Sequence, residues 1–136
     1  MEILQGGCLC GEVQFEIENA FENFHFCHCE QCQIATGTAF AANLFTSPQA
    51  ISWTKGEALV VRYDVPGRRI SNVFCSLCGS RLPWLSLSGD TLAVPAGSLR
   101  GEPSVGVGAN IFWPEKASWY QSGQTAPCHD YFKESS

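Results

Sequence analysis

Three observations on this 136-residue chain predict a mainly β fold stapled through sulfur. Polar and apolar residues alternate strictly along Glu12-Val13-Gln14-Phe15-Glu16-Ile17-Glu18, the period-2 signature of a half-buried strand. Gly and Pro recur at short intervals, which suits brief strands joined by turns. Seven of the eight cysteines fall into three tight clusters: Cys8-Leu9-Cys10, Cys27-His28-Cys29-Glu30-Gln31-Cys32 and Cys75-Ser76-Leu77-Cys78.

Taken in order, Glu12–Glu18 is the first strand, and Phe24–Cys29 is a second that runs into a cysteine knuckle. Glu30–Thr36 reads as a single helical turn stopped by Gly37, which reaches positive φ without steric cost. Phe40–Phe45 is a further strand, and Pro48–Trp53 a short turn. Strands follow at Leu59–Tyr63, at Ile70–Phe74 leading into the third cysteine cluster, at Leu92–Pro95 and at Val107–Trp113. The polar tail Lys133–Ser136 is expected to fray. There is no long internal repeat, low-complexity run or linker, so residues 1–136 are expected to form a single domain.

Charged residues make up only 15% of the chain and hydrophobic residues 45%, with nine Phe and four Trp, so the composition is globular rather than disordered. A formal charge of −5 argues against nucleic acid, whose phosphates need a concentrated basic surface. Arg68-Arg69 is the only pair of adjacent basic residues and is expected to be a solvated turn. No stretch is apolar for the roughly 18 residues that span a bilayer, and Met1–Gly7 carries neither the charged nor the apolar region of a secretory signal. A cytoplasmic setting is therefore expected. Under reducing conditions clustered cysteines serve as metal ligands or reactive thiols rather than disulfides.

Seven thiolates divide into four and three. Cys75-x-x-Cys78-Gly79 is a two-sulfur knuckle that needs a distant pair, and Cys8-x-Cys10-Gly11 is such a pair. If the N-terminal segment is extended, Cys8 and Cys10 project from one face toward a common ion. Metal bound by Cys8, Cys10, Cys75 and Cys78 would be a structural zinc closing a long loop. The remaining trio, Cys27, Cys29 and Cys32, compresses three thiolates into six residues. Three protein ligands with an exchangeable position is the plan of a catalytic zinc. A fourth protein ligand would instead close the site, and Cys128, His129 and His25 are the candidates for it. In an extended segment His25 shares a face with Cys27 and Cys29, while His28 points the other way, as a positioning or solvent-facing residue. Cys128 reads as a bystander thiol.

Beyond the clusters, Gly6-Gly7-Cys8-Leu9-Cys10-Gly11, Cys27-His28-Cys29-Glu30-Gln31-Cys32 and Ala35-Thr36-Gly37-Thr38-Ala39-Phe40-Ala41-Ala42-Asn43 occur in order. Phe45, Trp53-Thr54-Lys55-Gly56, Phe74-Cys75-Ser76-Leu77-Cys78-Gly79-Ser80, Val94-Pro95-Ala96-Gly97-Ser98-Leu99, Ile111-Phe112 and Lys116-Ala117-Ser118-Trp119-Tyr120 follow. Across about residues 5 to 120 this pattern resembles the glutathione-dependent formaldehyde-activating enzyme family. The resemblance implies a β-tent, two antiparallel sheets leaning together around zinc. It also implies structural zinc at Cys8, Cys10, Cys75 and Cys78 and catalytic zinc at Cys27, Cys29 and Cys32. The implied activity is S-(hydroxymethyl)glutathione synthase, a carbon–sulfur lyase joining formaldehyde to glutathione. One departure stands at Asn110, where the family pattern carries His before Ile111-Phe112, and it concerns a polar group of the substrate pocket.

The expected function is thus a zinc-dependent lyase acting on a small-molecule thiol and a small aldehyde. Asn43, Phe45, Trp113 and Trp119 are the candidates for lining its pocket. The alternative is a non-catalytic zinc-stapled interaction module, as in the small-GTPase chaperones and the centromere-associated relative with tent-like folds. Methionine sulfoxide reduction, which uses a similar zinc-bearing fold, needs a reactive cysteine after a late strand, and Pro127-Cys128-His129 does not supply that motif.

Overall fold

The computed structural model describes residues 1–133. Among them, in chain order, lie β1 (Ile3–Gly7), β2 (Gln14–Glu18), β3 (Asn23–Cys27), α1 (Glu30–Thr36), β4 (Ala41–Thr46), β5 (Ile51–Lys55), β6 (Val60–Asp64), β7 (Ser71–Cys75), β8 (Trp84–Leu85), β9 (Leu92–Pro95), β10 (Ala109–Ile111) and α2 (Tyr120–Thr125). Single 3-10 turns at Pro48–Ala50, Glu57–Leu59, Ala96–Ser98 and Trp113–Glu115 connect them. The fold is mainly β, as expected. The fraying predicted for the tail concerns 134–136, which lie outside the described residues.

The alternating stretch becomes β2, with Phe15 and Ile17 buried and Glu16 and Glu18 turned outward. Its first two residues, Glu12 and Val13, belong instead to the bend that carries the first cysteine pair. Strand β2 is flanked by β1 and β5, both antiparallel, in a three-stranded sheet. Neither neighbour was anticipated. Gly6-Gly7 hides the strand character of β1, and β5 follows a Pro-initiated turn at Pro48–Ala50 without a break.

A five-stranded sheet in the order β10-β3-β4-β9-β8 forms the second layer. Four of its strands pair antiparallel, whereas β10 lies parallel to β3, with Ile111 opposite Cys27. Strands β6 and β7 form a separate two-stranded ribbon. Leu4, Val13, Phe15, Ile17, Leu44, Val73, Leu82, Leu92 and Val94 form a continuous core drawn from all three sheets. Phe15 and Trp53 meet edge to face at its margin, ring centroids 5.5 Å apart. Helix α1 begins and ends where the sequence predicts, and its C-cap Gly37 sits at φ 68°. The short α2 was not anticipated. No helix among the described residues is long and apolar enough to cross a membrane.

Candidate metal centres and the cavity beside them

The first cysteine pair lies in a tight turn, not the extended segment expected. Gly11 N–H donates to Cys8 O at 3.2 Å, and Cys8 N–H donates to Val13 O at 3.0 Å. The turn does what extension was expected to do and turns both sulfurs to one side. Strand β7 ends on Cys75, and the following knuckle closes with Gly79 N–H donating to Cys75 O at 2.8 Å. The four sulfurs of Cys8, Cys10, Cys75 and Cys78 lie within 4.8 Å of one another. Cys8 and Cys10 Sγ are 3.5 Å apart, and Cys10 and Cys75 Sγ 3.9 Å across 65 residues of chain. Four sulfurs about 2.3 Å from a tetrahedral zinc stand about 3.8 Å from one another. These separations bracket that value, so the donor set fits zinc.

Backbone amides already serve these sulfurs. Val13 N–H donates to Cys8 Sγ at 3.3 Å, and Leu77 N–H to Cys75 Sγ at 3.4 Å. The Ser80 hydroxyl accepts from Leu9 N–H at 2.9 Å, which leaves its proton for Cys78 Sγ at 3.2 Å. That hydroxyl, then the backbone at Ser80 and Cys10, draws the Cys78 thiol down to about 5. At Cys10 a backbone hydrogen bond at Glu12 opposes the change, but desolvation and the neighbouring sulfurs push the thiol up to about 12. At Cys10 the neighbouring sulfurs thus favour the protonated thiol, whereas at Cys78 the Ser80 hydroxyl favours the thiolate, and a divalent cation would favour the thiolate at both.

The trio is built at a strand-to-helix junction. Cys27 ends β3, Cys29 is the N-cap of α1, and Cys32 sits in its first turn. Cys32 N–H donates to Cys29 Sγ at 3.3 Å, the capping bond that a Ser or Asp oxygen otherwise accepts. The three sulfurs lie within 4.8 Å of one another. Burial, then hydrogen bonding and charge from Cys29 and Cys27, pushes the Cys32 thiol well above the ordinary range; burial likewise raises Cys27. Among the described residues no His, Asp, Glu or further Cys ligand atom joins this group within the same distance. His25 packs instead on Phe45, ring centroids 5.6 Å apart, and Cys128 is exposed near the C-terminus.

His28 corrects the solvent-facing expectation, since it is fully buried. With the Asn110 amide oxygen facing the ring at 2.9 Å, His28 Nε2–H is the donor. Nδ1 is buried without a hydrogen-bond partner. Phe40, Trp113 and Tyr120 enclose the ring at centroid distances of 5.3, 5.1 and 4.8 Å. The backbone of His28 is held on both sides: its N–H donates to Ile111 O at 3.0 Å, and its carbonyl accepts from Gln33 Nε2 at 2.8 Å. The residue between two cysteines of the trio is therefore clamped by β10, α1 and an aromatic box. Asn110 serves that clamp and is not among the residues that line the pocket, in keeping with the departure from the family pattern at its position.

An open cavity of about 470 Å³ has the trio in its wall. Asn43 and Phe45 line it as expected; Trp113 packs on His28 and Trp119 is exposed, so neither of these does. Phe112 stands at the cavity edge with φ 55°, the one non-glycine residue with positive φ among those described. For a bulky side chain that conformation is strained, and such strain concentrates at functional sites. Glu115, in the same loop, accepts from Glu30 N–H at 3.0 Å and so ties the loop to the start of α1.

Several residues of this site carry no signal in the sequence. Arg81 lines the cavity, and its Nη1 donates to Ala35 O near the end of α1 at 3.2 Å. It follows the Cys78 knuckle by three residues, so it connects one cysteine cluster to the helix of the other. Burial lowers its guanidinium below the usual range, and the charge at Cys32 opposes that shift. Arg68 and Arg69, expected in a solvated turn, are exposed but also line the cavity. Neither adjacency nor periodicity foretells these positions; only the path of β6 and β7 brings them there.

Comparison with known proteins agrees with this architecture. A solved Rhodobacter sphaeroides protein, a Northeast Structural Genomics target, superposes with a TM-score of 0.60 at 24% identity, covering 79% of this chain and 99% of its own, and shares the fold. No curated protein matches the chain. The sequence profile described as glutathione-dependent formaldehyde-activating enzyme matches residues 3–122. With that match spanning all three cysteine clusters, the chain belongs to the glutathione-dependent formaldehyde-activating enzyme family.

Proposed function

We propose that this protein is a zinc-dependent carbon–sulfur lyase that adds a thiol such as glutathione to a small aldehyde such as formaldehyde. One observation carries the reading: three sulfurs, with no fourth His, Cys, Asp or Glu ligand atom beside them among the described residues, open onto a cavity of about 470 Å³. That volume lies in the usual range for small-molecule sites. Cys27, Cys29 and Cys32 would hold the catalytic zinc, and Cys8, Cys10, Cys75 and Cys78 the structural one. A zinc ion at the trio supplies Lewis acidity toward a thiol sulfur and a carbonyl oxygen.

In the net reaction the sulfur lone pair forms the new C–S bond, the carbonyl π pair moves to oxygen, and the thiol proton ends on that oxygen as a hydroxyl. Nothing leaves, so the step is reversible. The chain's own residues set the conditions for it. Phe45, Trp84 and Ile111 give the cavity apolar walls that limit water, while Asn43 offers an amide to a polar substrate atom. Arg81 places a positive charge beside the sulfurs. His28, held from three sides, keeps Cys27 and Cys29 in register.

A non-catalytic module would have been supported by closure of the trio with His25, Cys128 or His129, and none of these joins it. The test is Cys29→Ser. Zinc content should fall from about two to about one per chain, and thiol–aldehyde adduct formation by at least about 100-fold, with circular dichroism unchanged. Unchanged turnover in the variant removes the proposal.

A further inference from the structure

The cavity has two chemically distinct kinds of lining. The sulfur trio supplies one, and the turn between β6 and β7 brings Arg68 and Arg69 into the same wall as another. Three of the chain's five arginines therefore face one cavity, in a protein whose formal charge is −5. This concentration reverses the local sign and favours an anion there. Glu115 is the one carboxylate in the lining, and it is engaged by the Glu30 amide.

The three arginines are not equivalent. Arg81 lies deeper and is engaged by Ala35 O, beside the charge of the cysteines. Three thiolates around a divalent cation would carry a net −1, which Arg81 would offset. Arg68 and Arg69 have no such assignment. Among the described residues the ion pairs are Lys55–Glu12 and Arg62–Asp64, and the carboxylate nearest in sequence, Asp64, is taken by Arg62 Nε at 2.8 Å and the Ser71 hydroxyl at 2.6 Å.

The turn that carries them is also held in place. Val65 N–H donates to Ile70 O at 3.1 Å, and Arg68 N–H donates to Val65 O at 3.2 Å. Pro66 and Gly67 occupy the centre, with Gly67 at φ 71°, the Pro-Gly arrangement of a type II turn. Below the turn, Asp64, Arg62 and the fully buried Ser71 tie the ribbon across its last pair. At the ribbon's far end Cys75 belongs to the other sulfur cluster.

We infer that Arg68 and Arg69 are the carboxylate-recognising rim of this cavity, and that its thiol substrate carries at least one carboxylate besides the sulfur. This rests on the lyase reading for the word substrate but not for the binding itself. Guanidinium forks suit carboxylates because two parallel N–H groups match two oxygens. A simple alkyl thiol would leave the rim without a counterion, so the pair selects among thiols and does not act on the reacting atoms.

The test uses unreactive probes, so that binding is read apart from turnover. S-methylglutathione and its dimethyl ester are titrated calorimetrically into the zinc-loaded protein at low salt. The diacid should bind about tenfold or more tightly than the diester, and the preference should shrink as salt rises. Arg68→Ala/Arg69→Ala should bring the two probes within about twofold, while Arg68→Lys/Arg69→Lys retains part of the preference. Equal affinity for the two probes in the unaltered protein overturns the inference, as does an unchanged preference in the alanine variant or failure of the diacid to bind. If the alanine variant does not fold, the salt dependence of the unaltered protein decides. Diacid preference without adduct formation would sink the lyase reading and leave the rim standing; turnover without the preference would do the reverse.

Discussion

His28 and Asn110 carry the clearest single-residue lesson. A histidine between two candidate ligands reads at first as a positioning or solvent-facing residue, because alternation along an extended segment turns it away from the sulfurs. It does turn away, but into a box of Phe40, Trp113 and Tyr120, where Asn110 supplies its one side-chain hydrogen bond. Those partners lie up to 92 residues away, so no local pattern reveals the burial. Asn110→Ala should lower stability by about 1–3 kcal/mol in chemical denaturation, since it leaves a buried N–H unpaired. A neutral result would show that the contact contributes nothing. Ser80 acts similarly at smaller scale: its hydroxyl links Leu9 N–H to Cys78 Sγ and thereby joins the two halves of the quartet. Ser80→Ala should cost about 1 kcal/mol and slow the reaction of Cys78 with a thiol reagent in the metal-free protein.

Among elements, β6 is exposed over most of its length and is held to the half-buried β7 at the turn end by polar ties. The Ser71 hydroxyl first, then Arg62, holds the Asp64 carboxyl below its ordinary value of 3.8. Its pKa is therefore lower folded than unfolded, and its contribution is complete above about pH 4. That contribution disappears as pH falls through the depressed folded value. Urea midpoints between pH 6 and pH 2.5 should show Asp64→Asn less stable than the unaltered protein at the upper end, with the two curves converging below pH 4. A gap independent of pH would mean that the carboxylate charge is not what ties the ribbon. Strand β7 itself was readable from Ile70–Phe74, yet nothing local indicated that its turn overhangs a cavity. Likewise β1 and β5 escape a pattern search, because glycine and a preceding 3-10 turn interrupt their alternation, although β1 pairs with β2 along its length and β5 pairs with it across a register shift at Thr54.

Across the whole molecule, the two sulfur clusters bear different loads. The quartet joins residues 65 apart and sits against the core through Cys8 and Cys75, whereas the trio is local to one strand–helix junction. If both bind zinc as proposed, chelation or Cys75→Ser should lower the thermal midpoint by more than about 10 °C, because closure of the quartet is coupled to folding. Cys29→Ser should lower it by less than about 3 °C. Equal losses would mean that the trio is as structural as the quartet and would favour the interaction module.

Cysteine spacing, strand alternation and the Gly37 stop were readable in the chain because each is a short-range pattern: sulfur knuckles, pleat period and a left-handed cap need only a few neighbouring residues. The mainly β class, the limits of α1 and the grouping of seven sulfurs into four and three all belong to that order. The cavity, the burial of His28, the service of Asn110 to that histidine and the placement of Arg68, Arg69 and Arg81 belong to another. They depend on how sheets lie against one another, and that is settled by packing of Phe15, Ile17, Leu44 and Val94, core residues drawn from three different strands. Spacing names the ligands, but only three-dimensional closure decides what faces them.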